Sequence, residues 1–419
     1  MDTQRDIRPE DDLLLCCTRI CIDSESAERI RSLLRKDLDW SYLRQKALRH
    51  GLMPLLYRNL KSICPDAVPE AIMDQLQEYF FTNACRNFTL TEELLELLHL
   101  FEVDGIPAIP YKGPVLAASI YGDLTLRQVS DLDILIRKED MLRARDLLVP
   151  LGYRPQYELT HAQAAAYQKS QYELLLIRNN NRMIVELKWE IVDRFFSFPM
   201  DYECLWGRLK PISLDGKEVL TFSIEDLLLI LCVHGAKHLW TNLIWICDVA
   251  ELLHVCKKLD WEWVMRQASS PGGQRMLLLG LFLAKSLLGA PLPEEIRKEV
   301  EADPAVKGLA GQVQQRLFQT SNGSSPGLWE TSLFHLKARE HLKDRIWYCN
   351  RLALSTTPGD WTLRPLPDSL LPLYYLIRPF RLTAKYGVKL LSGISNRNHS
   401  YRGNRKNEVN RESPIVLSN

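Results

Sequence analysis

The sequence predicts an α+β fold. A small mixed β-sheet over residues 105–221 lies between an N-terminal helical region (1–104) and a C-terminal helical domain (222–394), and 395–419 form a disordered tail. Three observations carry this. Apolar residues recur at three-and-four spacing up to Gly105, the pattern of helices that bury one face. From Gly105 to Thr221, short apolar runs alternate with amphipathic segments. After Thr221 the helical spacing returns.

Taken in order, "PEDDLLLCCTRICI" opens a helix with Pro9 and acidic residues. "AIMDQLQEYFFTNACRNFTLTEELLELLHLFEVDG" reads as a long helix stopped by Gly105. "GIPAIPYKG" reads as a buried strand, and "PVLAASIYG" as a helix with Pro at its start. "SDLDILI" is a strand, and "KEDMLRARDLLVPLGY" an amphipathic helix ending at Gly152. "YELLLIRNNNRMIVELKWEI" is two strands around an Asn-rich hairpin turn. Ser223, with Asp226 three residues on, has the form of an N-terminal cap for the next helix. "NLIWICDVAELLHVCKKL" and "RMLLLGLFLAKSLLG" follow as apolar helices, and "TSNGSSPG" (320–327) as a loop.

Composition bounds the function. A chain of 419 residues implies two or three domains, and 46% hydrophobic residues suffice for a large core. A net charge of +1 supplies no field for nucleic acid or an anionic membrane, so a nucleic-acid partner is disfavoured. The ten cysteines are scattered without a C-x-x-C pair, which reads as free thiols in a reducing compartment. The N-terminus is polar and acidic, unlike a signal peptide, and no apolar run reaches the ~18–20 residues of a membrane span. The expectation is a soluble cytoplasmic protein.

The chemistry centres on "RQVSDLDILI". In a strand, alternate side chains share a face, so Asp131 and Asp133 point one way while Leu132 and Ile134 point into the packing. Two carboxylates side by side repel, and a hard divalent cation such as Mg2+ or Mn2+ offsets the repulsion. On a later strand, "MIVELKWEI" offers Glu186 as a third carboxylate, provided the two strands are neighbours. Upstream, Lys112 and Gly113 end a strand and open a helix, a place where backbone N–H groups can meet a phosphate. Alone, a D-x-D is more often a cap or a solvated turn. The ordered combination on strand, helix, strand and strand is more specific.

In "HGAKHLW", His234 and His238 lie four apart on one helical face, with Lys237 near it and Asp248 on the next helix. Two roles stay open: lining a substrate cleft, or hydrogen bonding between packed helices. Zinc is disfavoured, because no acid stands between the histidines.

"YKG", "RQVSDLDILI" and "VELKWEI" together resemble the nucleotidyltransferase superfamily of the DNA polymerase beta type. More narrowly, with "HGAKHLWTNLIWICDVAELL" and "LPLYYLIRPFRL", the chain resembles an uncharacterised nucleotidyltransferase-like family found in bacterial gene clusters for exopolysaccharides and modified peptides. The likeness spans roughly residues 10–390. It implies a nucleotidyltransferase core in the sheet region and a metal-dependent enzyme that transfers a nucleotidyl group from an NTP. The acceptor would be a small molecule, peptide or protein of such a biosynthetic pathway. It implies Asp131, Asp133 and Glu186 as catalytic and metal-binding residues, and Lys112, Gly113 and Ser130 at the nucleotide. His234, Lys237, His238 and Asp248 would line the substrate cleft. The chain departs from the superfamily in carrying Lys-Gly where Gly-Ser or Gly-Gly is usual, and from its narrower relatives in carrying Lys188 where His is common. Two alternatives stand beside this: a nucleotide-binding module of the same fold without catalysis, and a D-x-D glycosyltransferase. The second is disfavoured because "RQVS", not an apolar run, precedes the motif.

Overall fold

The structure is a computed structural model. It describes residues 7–157, 161–178, 183–193, 196, 198, 200–269, 272–319, 327–354 and 373. The chain divides into two units, Met1–Leu352 and Ala353–Asn419, and the first carries the sheet and the core. The signature at 371–382 lies, apart from Leu373, outside the described residues, as do the loop at 320–326, the hairpin turn at 179–182 and the tail at 395–419.

The fold is α+β. Seven strands are described: β1 (Ala108–Pro110), β2 (Leu132–Ile136), β3 (Arg154–Pro155), β4 (Glu173–Arg178), β5 (Met183–Lys188), β6 (Lys210–Leu214) and β7 (Lys217–Thr221). The first five make a mixed sheet in the order β1-β2-β5-β4-β3. The β2–β5 pairing is parallel, and the β1–β2, β3–β4 and β4–β5 pairings are antiparallel. β6 and β7 form a separate hairpin, turned by Asp215 and Gly216, both with positive φ.

Helices surround the sheet. The long N-terminal helix spans Glu70–Val103, and Asp104 and Gly105 close it, Gly105 at φ +68°. Ser223 caps the helix Ile224–Lys237: its Oγ accepts from the Asp226 amide at 3.3 Å and donates to the Asp226 carboxylate at 2.6 Å. The expected N-terminal region, the sheet core and residues 222–352 of the expected C-terminal domain are successive segments of the first unit. One apolar core runs from Leu13 and Leu56 through Ile109 and Leu135 to Leu228, Trp240, Ile246 and Leu279.

Part of "HGAKHLW" is explained by this core. Trp240 is fully buried, and a Cβ on Gly235 would stand 2.5 Å from its ring. Gly235 therefore leaves the room that the indole fills. All ten cysteines are free thiols. Among the described residues no helix is long and apolar enough to cross a membrane.

Candidate active site

β2 and β5 bring the acidic motifs together. Their parallel register pairs Asp133 with Glu186 and Leu135 with Lys188. Leu132, Ile134, Val185 and Leu187 are buried apolar residues, so both strands are locked in a register that leaves the acids on the other face. Asp131 stands just ahead of β2, and its carboxylate accepts from Ser130 Oγ at 3.0 Å.

The approach to Asp131 is held from the long helix. Asn83 Nδ2 donates to the Thr125 carbonyl at 3.2 Å, and Asn87 Nδ2 to the carbonyls of Leu124 at 2.5 Å and Arg127 at 2.7 Å. Arg86 donates to the Val129 and Ser130 carbonyls at 3.3 and 3.0 Å. On the other side, Gly113 has φ +56°, and a Cβ there would lie 3.0 Å from the Asp131 carbonyl oxygen. The Lys112–Gly113 turn thus packs its backbone against the D-x-D motif.

Two lysines enter the cluster. Lys188 Nζ lies 2.6 Å from Glu186, 2.8 Å from Asp133 and 3.2 Å from Glu173, its pairing partner on β4. Lys112 Nζ lies 3.8 Å from Asp133 and 3.1 Å from His234 Nδ1. An ammonium has only protons to give, so Lys112 donates and His234 Nδ1 accepts. Tyr111 donates to Asp133 at 3.5 Å. Lys237 reaches Asp193 at 3.3 Å and the Tyr172 hydroxyl at 2.8 Å, and Tyr172 donates to Glu173 at 2.6 Å.

The electrostatics follow. Burial pushes the Asp133 carboxyl up, but Lys112 and Lys188 outweigh it and hold it well below the usual carboxylate range. Burial and then Asp133 raise Asp131, and among the described residues no salt bridge reaches it. Burial pushes Glu186 up to about 7 although Lys188 opposes the shift. Burial lowers Lys188, but Asp133, Tyr111 and Glu186 raise it well above normal. Burial and Lys112 keep His234 neutral.

His234, Lys237 and His238 therefore stand round the acidic cluster, His234 and Lys237 through direct contacts. The His238 ring packs against those of His234 and Trp245, with centroids 4.6 and 5.4 Å away, and it is exposed. Asp248 differs from the expectation of a cleft residue. It is fully buried, bound by both Arg127 and the Tyr121 hydroxyl, and it anchors the motif loop to the helix Leu243–Val255.

The oxygen-only donors Asp131 and Asp133 suit a hard divalent cation. Glu186, expected as a third ligand, is engaged by Lys188 instead. Among the described residues no three His, Cys, Asp or Glu side chains converge as a ready metal site. Sequence reasoning passed over Tyr111, Tyr172, Glu173 and Asp193. Glu173 had a signal, its place at the far end of the same hairpin as Lys188. A cavity of about 540 Å³ opens beside Asp193, lined also by Glu190, Tyr202 and Trp347.

A family model described as uncharacterised nucleotidyltransferase matches residues 36–289, more than half of the chain and including the whole acidic cluster with its lysines and histidines. Among solved structures, an antigenic nucleotidyltransferase-like protein from Paracoccidioides brasiliensis matches at 15% identity and TM-score 0.32. The match covers 51% of this chain and 97% of that one, and at that similarity it carries no argument about function. No curated protein matches the chain.

Proposed function

We propose that this chain, which belongs to the uncharacterised nucleotidyltransferase family, transfers a nucleotidyl group from an NTP to a hydroxyl-bearing acceptor with the help of Mg2+ or Mn2+. The observation that carries the reading is the β2–β5 register, which sets Asp133 beside Glu186, with Asp131 at the strand's mouth and free of ion pairs among the described residues. Among the described residues, the ion pairs of Asp133, Glu186, Glu173 and Asp193 are with Lys112, Lys188 and Lys237, and Asp131 adds a fifth carboxylate, so the cluster with every acid ionised is two positive charges short. One divalent cation makes up that deficit.

Asp131 and Asp133 would hold the cation, which supplies charge neutralisation at the triphosphate. Lys112 and the turn at Gly113 stand on the phosphate side. Glu186, whose raised pKa suits proton transfer near neutral pH, accepts the acceptor's hydroxyl proton. The acceptor oxygen then bonds to the α-phosphorus, the bond to the β-phosphate oxygen breaks, and pyrophosphate leaves. The cavity beside Asp193 offers room for the acceptor, a small molecule or a peptide of a polysaccharide or modified-peptide pathway.

One observation favours a second reading, a nucleotide-binding module without turnover: Lys188 already occupies two of the three expected carboxylates. Calorimetry of the full chain with each NTP and Mg2+ tests the shared part, and radiolabel transfer from bound NTP tests catalysis. Cation-dependent binding that Asp131→Asn abolishes supports the site, and release of pyrophosphate selects the enzyme. NTP binding indifferent to both the cation and Asp131 would sink the proposal.

A further inference from the structure

We infer that Lys188 takes the place of a second cation, so that this site holds one divalent ion, at Asp131 and Asp133, rather than a pair. The inference rests on the metal-dependent reading above and goes beyond it by assigning a number of ions and a positioning residue.

The argument starts from the lysine's surroundings. Lys188 ends β5 and projects from the same face as Glu186, two residues earlier. Its ammonium has three protons, and three carboxylates surround it: Glu186 at 2.6 Å, Asp133 at 2.8 Å and Glu173 at 3.2 Å. The donors are saturated, and the side chain is only 7% exposed. Nothing about the group is spare or mobile enough to swing away without leaving buried carboxylates unpaired.

A cation bridging neighbouring strands would need oxygens from Asp133 on β2 and Glu186 on β5. Lys188 already holds one oxygen of each, Asp133 Oδ1 and Glu186 Oε2. Magnesium binds carboxylate oxygen at about 2.0–2.1 Å, so it and the ammonium exclude each other there on both distance and charge. The other half of the cluster is built differently. Asp131 has Ser130 Oγ as its partner, and the ion pair at Asp133 Oδ2 is a long one, to Lys112 at 3.8 Å. One half is thus filled by a permanent charge, and the other is left for an exchangeable one. The consequence is an asymmetric site in which Glu186 is positioned by a lysine and not by metal.

The test counts ions and does not depend on turnover. Mn2+ alone is titrated into the full chain, and free Mn2+ is followed by electron paramagnetic resonance. The wild type is expected to bind one Mn2+ per chain. Asp131→Asn should weaken that binding at least tenfold. Glu186→Gln, which still accepts from Lys188, should leave it within about twofold, and Lys188→Met should admit a second ion. Two ions in the wild type, or tenfold weakening in Glu186→Gln, would overturn the role of Lys188 while leaving the metal-dependent reading intact. No bound ion in any protein would overturn both. If Lys188→Met does not fold, the wild-type count and Glu186→Gln decide the matter.

Discussion

Arg127, four residues ahead of Asp131, grips the fully buried Asp248 with two parallel bonds, Nε to Oδ1 at 2.8 Å and Nη2 to Oδ2 at 2.9 Å. The pair spans the sheet region and the C-terminal helices. It fixes the loop that delivers the D-x-D motif.

Removing one member of a buried pair leaves the other charged and unpaired, a cost of about 3–5 kcal/mol. Asp248→Ala is therefore expected to lower stability by that order, read from urea unfolding. Its effect on nucleotide binding should follow the fraction folded. A variant as stable as the wild type but unable to bind nucleotide would put Asp248 in the cleft after all.

Asp131 behaves in the opposite way. It has no ion-pair partner among the described residues, and Asp133 repels it. Asp131→Asn relieves that repulsion and orphans no lysine. The metal-free variant should be as stable as the wild type or more so, by up to about 0.5–2 kcal/mol. The stabilisation that Mn2+ confers on the wild type should disappear. Melting curves with and without Mn2+ give both readings, and a destabilised Asp131→Asn protein would argue for a purely structural carboxylate.

At Gly113 two constraints coincide, φ +56° and the 3.0 Å approach to the Asp131 carbonyl. A left-handed residue with a Cβ costs about 1–2 kcal/mol, and the contact adds to it. Gly113→Ala should lose at least that much stability and weaken Mn2+ binding by displacing Asp131. Unchanged values of both would show that the turn does not position the motif.

Period-two spacing made Asp133 and Glu186 legible in the sequence, because their apolar neighbours alternate so regularly. The adjacency of β2 and β5 was only a condition, since a parallel pair is joined by distant segments and leaves no turn signature. Lys188 stood in plain view on the face of Glu186, yet its role depends on Glu173 coming across the hairpin. The two roles left open for Asp248 could not be told apart for a similar reason: its partner Arg127 lies 121 residues away, and an Asp in an apolar helix looks the same whether it faces a cleft or an arginine. The β6–β7 hairpin has a local signal, Asp215-Gly216 between alternating residues.

A pH effect follows from His335, which is 3% exposed. Its Nε2 is 2.9 Å from the Lys237 carbonyl, which only accepts, so Nε2 carries the proton and Nδ1 accepts from Tyr348 at 3.0 Å. Burial lowers its pKa from 6.5 to about 4. Because the folded value is the lower one, the unfolded chain takes up the proton first as pH falls. The stabilisation is complete above 6.5 and is lost between 6.5 and about 4, amounting to about 2 kcal/mol by pH 5. Raised acids such as Glu186 act in the opposite sense, so the difference between wild type and His335→Gln isolates the histidine. The wild type's advantage over the variant should shrink by about that amount between pH 7 and pH 5. A constant gap would mean that His335 is not held neutral.

His238 offers the complementary case to Asp248. It follows the helix Ile224–Lys237, stacks near His234 and Trp245, and is exposed on the side of the cluster. No side-chain hydrogen bond ties it among the described residues. Truncating it removes ring contacts but leaves no buried polar group unsatisfied, so the stability change in His238→Ala should stay within about 0.5–1 kcal/mol. If His238 faces bound substrate, nucleotide affinity or turnover should fall by tenfold or more at that nearly constant stability. Melting and calorimetry on the same preparation separate the two effects. A loss of stability well beyond 1 kcal/mol, with nucleotide affinity unchanged in the folded fraction, would make His238 a packing residue and leave Lys112 and His234 as the groups that approach the carboxylates from this side.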